Sequence, residues 1–215
     1  MKGFIFDLDG TLLDSMGIWE GIDRQMLAKR GIPFPEEKYH EFVAITTPLS
    51  PAESAAFAIK HYGISATVEE IIQEWSGAAE EAYAKSVPMK PGAKAFLEAL
   101  RAKGTKMAVA TSSPTNLCIP ALQNHGIIDL FDAVCLSDEV GVGKTKPDVF
   151  LLAAKRLGVE PGDCIVFEDS LTAMKTAKSV GMTICAILDP SAKNLWPEIE
   201  QVADSVILDF SEVKP

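Results

Sequence analysis

Two aspartates near the start of the chain, Asp7 and Asp9, are the residues with the clearest capacity for chemistry. They follow the apolar run Gly3-Phe4-Ile5-Phe6 and precede Gly10-Thr11. An apolar run of this length suits a buried strand. Side chains at i and i+2 of an extended segment point to the same side, so both carboxylates can aim at one point past the strand's carboxyl end. Open parallel sheets bind ligands at that end. Two carboxylates held so close repel, and they require a cation or a shared proton. A hard cation such as Mg2+ meets the requirement most simply. An Asp-Gly turn after a strand is the competing reading of this segment.

Polar groups follow other apolar runs in the same way. Lys106–Ala110 leads into Thr111-Ser112-Ser113, and Ile165–Phe167 leads into Glu168-Asp169-Ser170. Between them, Gly143-Lys144-Thr145-Lys146-Pro147-Asp148 opens a helix pattern. In a parallel sheet these segments gather at one edge. Taken singly, a serine before Pro114 suits a helix cap, and so does Asp169-Ser170. Taken as an ordered set, they supply a carboxylate cluster, hydroxyls and a lysine, the groups that phosphoryl transfer needs.

The elements that must position these groups alternate from about residue 91. Helices are expected over Pro91 to Gly104, Pro114 to Asn124, Pro147 to Leu157 and Ser170 to Val180. Pro120 is expected to kink or limit the second of them. Strands are expected at Lys106–Thr111, Ala133–Leu136, Ile165–Phe167, Thr183–Leu188 and Ser205–Leu208. Such alternation implies right-handed crossovers and a Rossmann-like parallel sheet with helices on both faces.

Residues 17 to 87 read differently, with helix patterns and no convincing strand. Ser50-Pro-Ala-Glu53 and Thr67-Val-Glu-Glu70 fit capping boxes, and Ile71, Trp75, Ala78 and Ala82 form a helical stripe. The chain therefore divides into an α/β core, residues 1–15 and 88–215, and a small helical domain, residues 16–87, inserted after the first strand.

The formal net charge is −10 over 215 residues. Binding to nucleic acid or to anionic membranes needs excess Lys and Arg, so neither partner is expected. No apolar run approaches the ~20 residues of a membrane span, and no secretory signal precedes Asp7. Cys118, Cys135, Cys164 and Cys185 lack C-x-x-C spacing. They read as free buried thiols in a reducing, cytoplasmic compartment.

The ordered motifs resemble those of the haloacid dehalogenase-like (HAD) superfamily over essentially the whole chain. Asp7-Leu8-Asp9-Gly10-Thr11 meets the first motif D-x-D-G-T, and Thr111 or Ser112 meets the second. Lys144-Thr145-Lys146-Pro147-Asp148 meets the third, K-P-x-P-D, with Thr145 in place of the first proline. Glu168-Asp169-Ser170 meets the fourth, and Ala173 stands where a glycine is usual. The insertion is similar to the helical cap of the β-phosphoglucomutase-like branch.

That resemblance implies a Mg2+-dependent phosphatase acting on a small phosphorylated metabolite of the sugar or polyol class. Asp7 is then the nucleophile that becomes an aspartyl-phosphate, and Asp9 is the general acid and base. Asp7, the backbone carbonyl of Asp9, Asp169 and, in or beside the shell, Glu168 are the implied metal ligands. Thr111 or Ser112, Lys144 and backbone N–H groups near Leu8 and Gly10 are the implied phosphate ligands. The second aspartate argues against dehalogenation, and the unaltered first motif argues against phosphonate hydrolysis. A sugar phosphomutase is the runner-up. That branch carries a histidine ten residues after the second aspartate, where this chain has Trp19, and cations are few in the insertion. A non-catalytic binding protein on the same fold is the remote alternative. Trp19, Thr46 and Thr47 are the expected specificity residues, and a monomer is expected.

Overall fold

The computed structural model describes residues 2–213. Gly3–Phe6 forms β1 at the centre of a parallel sheet. Its side chains alternate between two apolar layers, Phe6 entering one and Ile5 the other. A strand covered on both faces must be apolar at every position, which is why the run before Asp7 has no polar interruption.

The other strands are β2 (Lys106–Thr111), β3 (Ala133–Leu136), β4 (Cys164–Glu168), β5 (Thr183–Ile187) and β6 (Ser205–Ile207). Among the described residues they form one six-stranded sheet in the order β3-β2-β1-β4-β5-β6, every pair parallel. The order reverses between β1 and β4, so the crevice of this sheet opens past the carboxyl ends of these two strands.

Four helices separate β1 from β2's own helix: α1 (Met16–Ala28), α2 (Glu36–Thr46), α3 (Pro51–Tyr62) and α4 (Val68–Lys85). They are followed by α5 (Ala93–Ala102), α6 (Thr115–Asn124), the short α7 (Ser137–Val140), α8 (Asp148–Leu157), α9 (Leu171–Ser179) and α10 (Trp196–Val202). α5 and α6 share the apolar layer of Phe6, while α8, α9 and α10 share that of Ile5. α6 runs through Pro120 to Asn124, so the proline does not limit it. All four cysteines are free and buried. No described helix is long and apolar enough to cross a membrane.

Both capping boxes form, at Ser50 with Glu53 and at Thr67 with Glu70. The buried stripe of α4 is Ile71, Trp75, Ala79 and Tyr83, whereas Ala78 is exposed. The strict i, i+4 spacing corrects the expected stripe, moving its last two positions on by one residue each, from Ala78 and Ala82 to Ala79 and Tyr83. α4 packs along α6, and one apolar layer continues from Phe6 through these helices to Met26 and Trp75.

The two crossings between sheet and helices lie side by side. Asp14 N–H donates to the Pro88 carbonyl at 2.9 Å, and Lys90 N–H donates to the Leu12 carbonyl at 2.9 Å. Lys90 Nζ then reaches Asp189, just past β5, at 2.5 Å and Asp14 at 3.1 Å. Lys90 and Asp189 are both buried. Removing one partner of a buried pair leaves an uncompensated charge, at a cost of about 3–5 kcal/mol. Lys90→Met is therefore expected to lower the free energy of urea unfolding by that amount, and adding Asp189→Leu should recover most of it. A single variant within about 0.5 kcal/mol of the parent, the range of an ordinary surface change, would contradict the pairing.

Candidate active site

Asp7 follows the last residue of β1, and its N–H donates to the Phe167 carbonyl at 2.9 Å. This extends the β1–β4 ladder and sets Asp7 beside Glu168, the last residue of β4. Asp169 follows at once. Ligand atoms from Asp7, Glu168 and Asp169 all lie within 4.8 Å of one another, and all three residues are buried. Lys144 enters from the segment before α8. Its Nζ donates to Glu168 at 2.8 Å and to Asp7. The other oxygen of Glu168 accepts the N–H groups of Asp169 and Ser170 at 3.2 and 3.1 Å, which fixes the turn into α9. Asp169 accepts the Thr11 hydroxyl at 3.2 Å.

One ammonium thus faces three carboxylates. Burial raises Asp7 to about 7, reinforced by Glu168 and opposed by Lys144. Burial, then Glu168 and Asp7, hold Asp169 well above the usual carboxylate range. Burial alone would lower Lys144, but Asp7 and Glu168 prevail and raise it, so it stays charged. The remaining negative charge and the all-oxygen donor set fit a hard divalent cation. Asp7, Glu168 and Asp169 are the residues that would hold it.

Asp9 points elsewhere. Its carboxylate accepts hydroxyl hydrogen bonds from Ser15 at 2.7 Å, from Tyr83 and from Ser113. Trp19 Nε1–H in turn donates to the Tyr83 hydroxyl at 2.5 Å. Burial, followed by the charge of Asp9, pushes the Tyr83 phenol up, so it remains a donor. The three hydroxyls come from the first crossing, from α4 and from the turn after β2, and together they fix the direction of the carboxylate.

The expected phosphate ligands separate into two groups. Ser112 and Lys144 line a cavity of about 150 Å3 together with Asp7 and Asp9, and Ser112 Oγ lies 3.1 Å from Ser137 Oγ. Thr111 also lines it, but its hydroxyl accepts the Ser113 N–H at 2.9 Å and so shapes the turn. Gly10 does not fit its expected role, because its N–H is donated to the Leu13 carbonyl at 2.9 Å. Its requirement is steric: φ is +79°, and a Cβ would stand 2.8 Å from Asp169 Cγ. Leu8 buries its side chain completely in the core.

The far wall of the cavity belongs to the helical insertion and includes Met16, Trp19, Asp23, Phe42, Ile72 and Trp75. Thr46 and Thr47 line it too, with their hydroxyls donated to the Phe42 and Val43 carbonyls of their own helix at 2.8 and 2.7 Å. His40, His61 and His125 are absent from this lining. His40 lies 3.1 Å from the Ser191 carbonyl and His125 lies 2.9 Å from that of Val87.

The chain matches the family model described as haloacid dehalogenase-like hydrolase over residues 1–181. The chain belongs to this family. It is therefore an enzyme of the hydrolase class. It is 33% identical over 218 residues to the "Probable pseudouridine-5'-phosphatase" of Drosophila melanogaster, covering 98% of this chain and 90% of that protein. It is 24% identical over 191 residues to "Hexitol phosphatase B" of Escherichia coli (strain K12), covering 88% and 85%. The solved beta-phosphoglucomutase from Clostridium difficile shares the fold, with a TM-score of 0.82, 24% identity and coverage of 100% and 93%.

Four site residues escape the motifs of the family. Ser113 reads as a helix cap, and Ser15 as an ordinary crossing residue. Tyr83 ends an apolar stripe. Asp23 has a visible signal, an acid between Ile22 and Met26 on the buried face of α1.

Two outcomes follow from these charges. Mg2+ added to the EDTA-treated chain is expected to raise its unfolding midpoint, by ~2.7 kcal/mol of stability at a hundred times the dissociation constant. Asp169→Asn should lose most of that gain, and an undiminished gain in the variant would place the ion elsewhere. The second concerns Asp23, which burial raises from its ordinary 3.8 to about 7, Trp75 opposing. Between those values the folded chain keeps a proton that the unfolded chain has released, so stability falls as pH rises through the window. Asp23→Asn should remove that loss. The variant's midpoint, relative to the parent, should rise from about pH 4 to about pH 7 and then level, and a flat difference in thermal scans would contradict it.

Proposed function

We propose that the chain is a Mg2+-dependent phosphatase that hydrolyses a small phosphomonoester of the sugar or polyol class through an aspartyl-phosphate on Asp7. The observation that carries this reading is the cavity wall. Asp7, Asp9, Ser112 and Lys144 meet on one side, and Lys144 is the one cation among the described lining residues. A mutase must hold a bisphosphate, which calls for a second cationic site. The insertion offers the carboxylate of Asp23 instead, and the indole of Trp19, ten residues past Asp9, is bonded to Tyr83. The names of the curated relatives, a pseudouridine-5'-phosphatase and a hexitol phosphatase, support the phosphomonoester class.

In this reading an oxygen of Asp7 attacks phosphorus, and Asp9 gives a proton to the departing alcohol oxygen. Asp9 then takes a proton from water, which attacks the same phosphorus and frees Asp7 and inorganic phosphate. Ser112, Lys144 and the Leu8 N–H hold the transferring oxygens. The metal, held by Asp7, Asp169, the Asp9 carbonyl and Glu168 in or beside the shell, supplies charge neutralisation for an approaching dianion. Residues 16–87 act as the cap that excludes water, with Trp19, Thr46 and Thr47 facing the leaving group. A monomer in the cytoplasm, where four buried thiols stay reduced, completes the proposal.

Asp7→Asn is expected to abolish nitrophenol release from p-nitrophenyl phosphate. Nitrophenolate leaves without a proton, so Asp9→Asn should release one equivalent in a burst and then turn over about 10²–10⁴-fold more slowly. Steady turnover by Asp7→Asn would remove the nucleophile from the scheme, and the absence of a burst in Asp9→Asn would remove the base.

A further inference from the structure

Asp23 and Trp75 line the same cavity but take no part in holding Asp9 or the carboxylate cluster. Asp23 is 7% exposed and Trp75 is 8% exposed. The Trp75 indole N–H has no hydrogen-bond partner, the only such buried side-chain atom among the described residues. The groups that shift Asp23 include no cation; the indole N–H of Trp75 faces it, and the phenols of Tyr39 and Tyr62 lie near enough to feel its charge. Buried polar groups in folded proteins are satisfied almost without exception. A buried donor without a partner at bonding distance, facing a buried acid in the wall of the same cavity, leaves hydrogen-bonding capacity that a ligand can fill.

The position of the pair is set by α1. Trp19 touches the tyrosine that holds Asp9, and Asp23 stands one turn further from the crossing. Four residues of helix advance about 6 Å. The pair therefore meets the distal part of a bound substrate rather than its phosphate. Apolar side chains of Met16, Phe42, Val43 and Ile72 frame it.

Resting on the phosphatase reading above, we infer that Asp23 and Trp75 select the leaving group by a paired contact. The carboxylate accepts a hydrogen bond from an O–H or N–H, and the indole N–H donates to an oxygen beside it. The matching chemistry is a donor next to an acceptor. Vicinal hydroxyls of a sugar or polyol present it, and so does the N–H and carbonyl edge of a pyrimidine. A cationic amine satisfies the carboxylate alone, an alkyl or aryl group satisfies neither, and a second phosphate is repelled. A site that hydrogen-bonds its substrate strongly rejects analogues that leave its polar groups unpaired.

The test compares kcat/KM on sorbitol 6-phosphate, pseudouridine 5'-phosphate and p-nitrophenyl phosphate with Mg2+, for the parent, Trp75→Phe and Asp23→Asn. The parent should prefer one of the polar substrates, and which one distinguishes polyol from pyrimidine. In each variant the ratio of polar to aryl kcat/KM should fall about tenfold to a hundredfold, the worth of one buried hydrogen bond, chiefly through KM. Because the aryl ester is measured on the same folded sample, a loss of fold lowers both rates and leaves the ratio in place. Ratios unchanged in both variants while the aryl rate is retained, or no polar preference in the parent, would overturn the pair while the phosphatase reading stands. A parent that turns over none of the three, the aryl ester included, overturns that reading and the pair with it.

Discussion

Mutual repulsion among Asp7, Glu168 and Asp169 is the constraint around which this molecule is organised. Three buried carboxylates within 4.8 Å cannot all be charged without compensation. The fold supplies part of it through Lys144 and two backbone N–H groups on Glu168. The rest is left for a cation. The sheet must end its central strands there, because only the switch point between β1 and β4 brings Asp7, Glu168 and the Lys144 segment to one edge. Gly10 is required for the same reason, since any side chain would displace Asp169.

A second constraint acts through Asp9. Its carboxylate is bonded by hydroxyls from the crossing, the helical insertion and the turn after β2. The direction of that carboxylate is thereby tied to how the insertion sits on the sheet. Lys90 performs the parallel task below, joining both crossings to the loop after β5. The insertion is thus fastened at its base by a buried ion pair and at the site by a phenol.

Much of the fold was legible because apolar runs and Gly or Pro punctuation mark each strand and helix of the α/β part. The chemistry placed directly after those runs was legible for the same reason, since a strand end has a fixed direction. The partners of Asp9 were not. Tyr83 lies 74 residues from Asp9 and Ser113 lies 104 away, and no local period encodes such a contact. The local sequence gives no sign that the N–H of Gly10 is claimed by the tight turn to Leu13. Alanine carries little information about which side of a helix is buried, so the sequence does not tell Ala78 from Ala79 in α4.

The loop that carries Lys144 shares one acceptor atom with the start of α3. A single oxygen of Glu53 accepts both the Ser50 N–H, at 2.8 Å, and the Gly143 N–H, at 2.9 Å. The first bond starts α3, and the second belongs to the core. A Cβ on Gly143 would lie 2.5 Å from the Leu49 carbonyl carbon, so the two surfaces meet backbone to backbone. The unit that could be transplanted between relatives is therefore larger than the stretch between the crossings. A chimera that exchanges the four helices must bring the Ser-Glu helix start with it and find a glycine waiting on the other side.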